Sequence, residues 1–373
     1  MRNPFFVMSF SSLLEKTYLC NMKIKAGWLL GAFFLLLRTN CSAAASFNEF
    51  SDLCVDSFPQ QLKAARPNTR LDSLLDSRDR RALVRYDSLY IRKPSQRLML
   101  KLRGNVSGAA FRAKRLNTDY DFNVGLRSNV NVTTAVSANY RGLGVALSIN
   151  PLKLAGRNAD FEFNMNAYGN RYGADVIYSS SQTYHGSIKL GGMVNYDVVA
   201  GQVRQRLLAV NAYYAFNYRR FSYPAAFTQS QLQLRSCGSW MIGFSFMGSY
   251  LHFDSDIYLG SQEAHARMVY FALGGGYGYN FVTPHNWLFH LSTLPEIVAA
   301  TYGRLEMENE NHHTPYRFPN LINVGRIAVV KNYDRCFFGF TGVVNHSLTG
   351  DRDQLLLHLT KWRARVFFGL RLL

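Results

Sequence analysis

Four groups of residues have the types and spacing from which chemistry can be built. In His185-Gly186-Ser187 an imidazole and a hydroxyl stand two residues apart. On an extended strand that step puts both on one face within proton-transfer reach, which a serine nucleophile with a histidine base requires. A carboxylate or amide would have to orient the histidine before acyl hydrolysis became effective. His346-Ser347 fails this test, because adjacent strand residues point to opposite faces. His312 and His313 follow the acidic run Glu306-Met-Glu-Asn-Glu-Asn311, a mixture of oxygen and imidazole donors that suits a cation. The run has no rigid ligand spacing, so an exposed connection between strands explains it better than a metal site. His252, Asp254 and Asp256 share one face near a strand end and read as a solvated loop. Gly274-Gly-Gly-Tyr-Gly278 has the glycine density of a phosphate loop, but such a loop follows a strand and opens a helix. These glycines sit inside an alternating run, where small inward residues of a barrel account for them. Neither a cofactor nor a metal is expected.

The elements that would position these groups are clearer than the groups themselves. From about Leu98 onward the hydrophobic period is two. In Asp160 to Tyr168, Phe161, Phe163, Met165 and Ala167 fall on one face and Asp160, Glu162, Asn164 and Asn166 on the other. Gly169-Asn170 then makes a tight turn, and Tyr172, Ala174, Val176 and Tyr178 resume the apolar face against Arg171, Gly173 and Asp175, which predicts a hairpin. The same opposition recurs in Arg141 to Ile149, Trp240 to Tyr250, Met268 to Phe281 and Trp362 to Leu372. In the last of these, Arg363, Arg365 and Arg371 oppose Trp362, Ala364, Val366 and Phe368.

Most of these runs reach the length of a tilted membrane-crossing strand, about nine residues or more, and several exceed ordinary soluble strands. In hydrocarbon every backbone N–H and C=O needs an internal partner, so only helices and closed barrels can span. The expected fold is therefore all-β, an antiparallel transmembrane β-barrel of about 12 strands (10–14). Trp240, Tyr250, Tyr279, Trp287 and Trp362 are candidates for its aromatic girdles. Glu162, Arg171, Asp175, Arg363 and Arg365 are expected to face the lumen, where they would set its field or pair with one another. A secreted β-sandwich is the competing fold, with shorter strands.

Composition agrees. The chain has 373 residues, 48% hydrophobic and 14% aromatic but only 18% charged, which excludes disorder over most of its length. No apolar run long enough for a spanning helix follows the N-terminal region. Residues 1–45 read as a signal peptide: Lys23 and Lys25 are followed by the apolar stretch Gly27 to Leu37, and Ser42-Ala-Ala-Ala-Ser46 offers small residues for cleavage. Met22 opens a signal of ordinary proportions, so the residues before it read as an over-long start. Cys41, preceded by Thr39-Asn40, makes a poor lipid-attachment site. Removing the leader leaves 37 basic against 23 acidic residues, so the net charge falls from +18 to +14 and the basic excess belongs to the exported chain. Cys54, Cys237 and Cys336 then allow at most one bridge, neither a disulfide framework nor a metal site. Residues 46–97 form a separate N-terminal periplasmic segment, partly helical, in which Asp72 to Arg85 would serve as a solvated helix, a plug or a partner-binding helix. The barrel occupies 98–373.

The order of motifs Tyr86-Asp-Ser-Leu-Tyr90, Leu98 to Asn105, Asn139-Tyr-Arg-Gly-Leu-Gly-Val-Ala-Leu-Ser-Ile-Asn-Pro151, Asp160-Phe-Glu-Phe-Asn164 and Tyr168-Gly-Asn-Arg-Tyr-Gly-Ala-Asp175 resembles an uncharacterised bacterial family of exported barrels, domain of unknown function 4421. The resemblance runs from about Asp87 to the C-terminus and implies an outer-membrane barrel of a Gram-negative cell, without supplying catalytic residues. The chain departs from the usual outer-membrane ending, finishing Gly369-Leu-Arg-Leu-Leu373 with Phe368 in the outward phase. The expected role is a passive pore or a structural, anchoring barrel. One alternative is a lipid acyl hydrolase centred on His185 and Ser187; another is a basic secreted polyanion binder. Expected partners are outer-membrane lipids, the barrel-assembly machinery and small solutes, with no nucleic acid.

Overall fold

The computed structural model describes residues 86–372 except for residue 97 and residues 116–121, 141–142, 151–159, 191–193, 255–263, 308–309, 314–319 and 352–354. The leader and the stretch 72–85 lie outside the described residues. The strands are β1 (Ile91–Arg92), β2 (Leu98–Arg115), β3 (Phe122–Arg127), β4 (Asn131–Tyr140), β5 (Leu143–Ile149) and β6 (Phe161–Tyr168). Next come β7 (Tyr172–Ser181), β8 (His185–Leu190), β9 (Val194–Val198), β10 (Val203–Ala215), β11 (Leu232–Gln233) and β12 (Cys237–Phe253). The series ends with β13 (Ala264–Val282), β14 (Trp287–Met307), β15 (Glu310–His313), β16 (Leu321–Asn332), β17 (Cys336–Asp351) and β18 (Leu355–Leu372). A single described helix, α1 (Tyr223–Phe227), lies between β10 and β11. No described helix is long and apolar enough to cross a membrane.

Sixteen strands join one antiparallel sheet, in the order β6-β7-β10-β12-β13-β14-β16-β17-β18-β2-β3-β8-β9, with β15 beside β14 and β4 between β2 and β5. The C-terminal strand pairs with the first long one, Leu372 opposite Leu98 and Leu355 opposite Arg115, and among the described residues the paired order ends at β6 on one side and at β9 and β5 on the other. The count exceeds the expected twelve because of four short strands, β3, β8, β9 and β15, of six, six, five and four residues. For β3 and β15 the cause is physical: β2 outruns β4 and β14 outruns β16, and the N–H and C=O groups of an exposed strand edge need partners, while β8 and β9 add on to β3 in turn. β4 pairs with the first half of β2 and β3 with the second, while β16 covers the start of β14 and β15 its end.

The period of two is realised as two faces. Along β13, Phe271, Leu273, Tyr277, Tyr279 and Phe281 point outward and are exposed, while Met268, Tyr270, Ala272 and Asn280 are buried inside. β12 repeats this with Trp240, Ile242 and Phe244 outside and Met241, Ser245, Met247 and Leu251 inside. Two apolar clusters fill the interior. One, near the ends Arg115, Val203 and Phe253, includes Phe111, Leu126, Leu207, Leu251 and Tyr270. The other, near Leu98, Ala215 and Cys237, gathers Phe221, Tyr223 and Phe227 against Leu288, Leu294 and Phe337.

The second cluster exists because the chain between β10 and β11 folds back into the sheet's interior, with residues 221–227, Gln229, Gln231 and, in β11, Gln233 buried. Ser222 caps α1, its Oγ accepting from the Ala225 N–H at 3.2 Å, and Pro224 fits the first turn, where its missing N–H costs nothing. Every residue from Phe221 to Phe227 is buried. The wall is shaped for this plug: a Cβ on Gly278 would lie 3.2 Å from the Phe221 ring and 2.9 Å from Met241. A Cβ on Gly276 would collide with the Thr293 carbonyl, so the glycine run permits close approach of β13 and β14 and inward room.

Candidate functional site: the interior of the barrel

Between the two apolar clusters lies a polar layer built by inward positions of strands on opposite walls. Arg326 of β16 is ion-paired with Asp175 of β7 and donates from Nη1 to the Tyr223 hydroxyl at 3.2 Å. The Tyr168 hydroxyl donates to the other Asp175 oxygen. Both charged side chains are almost fully buried, at 1% and 6% exposure, so each depends on the other for the solvation it has lost. Tyr223 stacks on Tyr213 at 4.4 Å and on Phe227 at 5.1 Å, and its hydroxyl lies 3.0 Å from Ser292 Oγ. His290 continues the network, with Nε2 at 2.9 Å from Ser292 Oγ and Nδ1 at 2.7 Å from Asn280 Oδ1. Asn280 Nδ2 donates to the Ser222 carbonyl at 2.9 Å and so returns the chain of bonds to the plug.

A second group lies between β6 and the seam of β2 and β18. Glu162 Oε2 accepts from Lys361 Nζ at 2.7 Å and from Ser107 Oγ at 3.0 Å, and Oε1 accepts from Asn164 Nδ2 at 2.8 Å. Arg363 Nε stands 3.7 Å from the same carboxylate. Arg365 Nε donates to Asn105 Oδ1 at 2.6 Å. Lys101, further along β2, donates to the Thr228 carbonyl at 2.9 Å and to Gln229 Oε1 at 2.6 Å, locking the plug to that wall. An enclosed space of about 10 Å³ borders this group, between Ile177, Leu207, Met247, Asn345 and Leu359. It offers room on the scale of one water molecule.

The structure thus brings Glu162, Asp175, Arg363 and Arg365 to the interior face. Arg171 sits elsewhere, exposed at the turn before β7, with its guanidinium over the rings of Tyr214 and Tyr218 at 5.4 and 5.3 Å. Trp240, Tyr279 and Trp287 lie outward at the plug end, Trp240 edge-on to Tyr277 at 5.1 Å. Tyr250 lies at the opposite end of β12, its hydroxyl 3.0 Å from His265 Nδ1. Trp362 covers Gly108 midway along β18, where a Cβ would meet the indole at 3.0 Å. The plug, and the inward placement of Arg326, Lys101 and Lys361, have little signature in the local sequence. The Ser222-Tyr223-Pro224 start signal is the plug's only local trace.

The remaining chemical candidates lie outside this layer. His185 is exposed at the start of β8, and its Nδ1 lies 3.3 Å from the Thr183 carbonyl oxygen. Ser187 stands opposite Asp197 of β9. His312 and His313 pair through their backbones with Leu305 and Arg304, and their side chains are outside the described residues. His252 stacks on His265 at 4.7 Å, whereas Asp256 is not among the described residues. Among the described residues no group of three or more His, Cys, Asp and Glu is arranged to hold a metal ion.

The family model described as "Domain of unknown function (DUF4421)" matches residues 85–371. The chain belongs to that family. No curated protein matches. Among solved structures, the outer membrane protease OmpT from Escherichia coli is similar at 5% identity and a TM-score of 0.37, over 74% of this chain and 97% of that one. The translocator domain of the autotransporter NalP from Neisseria meningitidis is similar at 9% identity and a TM-score of 0.28, over 81% of this chain and 96% of that one.

Proposed function

We propose that this protein is an integral outer-membrane barrel with a closed interior, a structural and anchoring element rather than an open pore. The observation that carries the reading is the plug. Residues 221–227 are buried within the barrel and tied by Tyr223 and Ser222 to β14, β16 and β13, and Thr228 and Gln229, which follow them, accept from Lys101 of β2. Membrane insertion is supported by the outward band of exposed Phe, Leu, Ile, Trp and Tyr, which in water would cost the fold an apolar patch far larger than soluble monomers tolerate. Export is supported by Cys336, which is disulfide-bonded, since such bonds persist in oxidising compartments.

The plug also offers an anchor point. β1 pairs with β11, Ile91 opposite Gln233, so the segment entering the barrel adds a strand to the plug. Arg220 Nε is 3.0 Å from Asp87 Oδ2, and its guanidinium lies 5.0 Å from the Tyr90 ring, which Arg235 also approaches at 6.0 Å. Asp87, Tyr90 and Ile91 are thereby held against the plug at this end of the barrel. Liposome swelling tests the reading: proteoliposomes are expected to exclude arabinose-sized solutes as protein-free vesicles do, and rapid swelling would overturn the closed interior.

A further inference from the structure

We propose that the outward face at the ends of β10, β12, β13 and β14 remote from the plug binds the phosphorylated headgroup of a membrane lipid. The register assembles the site. One cross-strand row reads Arg206, Tyr250, Arg267, Arg304, and the next reads Arg204, His252, His265, Glu306. All eight are on the face that carries the apolar band, because they continue the parity of Leu208, Phe244, Phe271 and Tyr302. With strands about 4.8 Å apart and alternate residues about 6.8 Å apart, the eight side chains cover a patch roughly 14 Å wide and two rows tall.

Within these two rows four guanidinium groups stand against the single carboxylate of Glu306, with Asp254 just past the end of β12, beyond His252. Glu306 is engaged by Arg304 at 3.1 Å, and the Arg267 guanidinium lies over the Tyr250 ring at 5.6 Å. Tyr250, His252 and His265 are linked by contacts of 3.0 and 2.9 Å and form a platform between the arginines. Below the rows come exposed apolar side chains, Tyr302 at 51%, Phe271 at 43% and Leu273 at 55%. A ligand meeting both surfaces needs acyl chains on one side and a concentration of phosphate on the other, because guanidinium forks match phosphate oxygens bidentately. Free phosphate satisfies only the first row. The other end of the barrel lacks this arrangement on the same strands, where Trp240, Tyr277, Tyr279 and Trp287 take the outward positions. That contrast favours a bilayer whose two leaflets differ, with the phosphate-rich one at the arginine end.

This inference rests on the membrane-barrel reading, and its test separates the two. Full-length protein in neutral detergent is titrated with a bis-phosphorylated glucosamine lipid, with its dephosphorylated form and with inorganic phosphate, and binding is read as the shift of the thermal unfolding midpoint. The phosphorylated lipid is expected to bind at least about tenfold more tightly than the other two. The triple variant Arg206→Gln, Arg267→Gln, Arg304→Gln should lose about tenfold, and Arg171→Gln at the opposite end should lose nothing. Equal binding of the phosphorylated and dephosphorylated lipids, an equal effect of inorganic phosphate, or an unaffected triple variant would overturn the site. Heat-modifiable gel mobility and insertion into liposomes report on the barrel separately: a triple variant that still inserts confines any negative result to the lipid site, whereas wild-type protein that never inserts overturns the barrel reading itself.

Discussion

Replacing Arg326 with Leu removes the cation from the most deeply buried ion pair among the described residues, and its consequence can be worked from the contacts. Asp175 would keep the Tyr168 hydroxyl as a donor but lose its counter-charge while only 6% exposed. Breaking a buried pair by removing one partner typically costs about 3–5 kcal/mol. The lost bond to the Tyr223 hydroxyl adds about 1 kcal/mol. A total near 4–6 kcal/mol would consume much of the ~5–15 kcal/mol that holds an ordinary domain together. The double variant Asp175→Leu, Arg326→Leu leaves no orphaned charge and should stand within about 2 kcal/mol of wild type, since buried pairs exchanged for apolar groups are often nearly neutral. Urea titration of protein folded in liposomes, followed by tryptophan fluorescence, gives all corners of this cycle. If Arg326→Leu unfolds within about 1 kcal/mol of wild type, or the double variant costs the sum of the singles, then the pair does not join the two walls as described.

Tyr223→Ala should cost about 3–5 kcal/mol, because it empties a site packed by Tyr213, Phe227 and His290, and the same titration reads it. Gly278→Leu pushes on Phe221 and Met241 and should cost about 1–3 kcal/mol, more than the surface change Ser187→Ala, which should stay within about 0.5 kcal/mol. Leu273→Arg on the outward face should destabilise the liposome-folded protein by about 2–4 kcal/mol if that position lies near the bilayer midplane, and a neutral effect would argue against lipid contact. Alkylation before and after reduction, read by mass spectrometry, should label Cys237 in both states and Cys336 only after reduction.

Much of the wall was legible because a strand with one face in lipid and one inside writes its period directly into the sequence. The β6–β7 hairpin follows the predicted alternation residue by residue, with Phe161, Phe163 and Met165 exposed outside and Asp175 buried inside. The short strands were not legible: β3 and β15 form only because the long β2 and β14 present unsatisfied edges, and β8 and β9 add on to β3, a condition set by tertiary register rather than by local pattern. The plug was missed for a related reason. Phe221-Ser-Tyr-Pro-Ala-Ala-Phe227 is too short to show a helical period, and its apolar residues are satisfied by side chains far away in sequence, such as Tyr168 and Leu288. Arg171 shows where parity alone fails, since a residue of inward phase at a turn can leave the interior and lie over Tyr214 instead. The chemical candidates His185 and Ser187 were visible as types, but type and spacing carry no information about the Thr183 carbonyl that His185 meets.

The closed interior is tested most directly by electrical recording across a planar bilayer containing the purified full-length protein. Wild-type insertions are expected to leave the membrane sealed, because residues 221–233 and the Arg326–Asp175 layer occupy the passage. Steady, ohmic, single-channel steps from wild-type protein would contradict a closed interior.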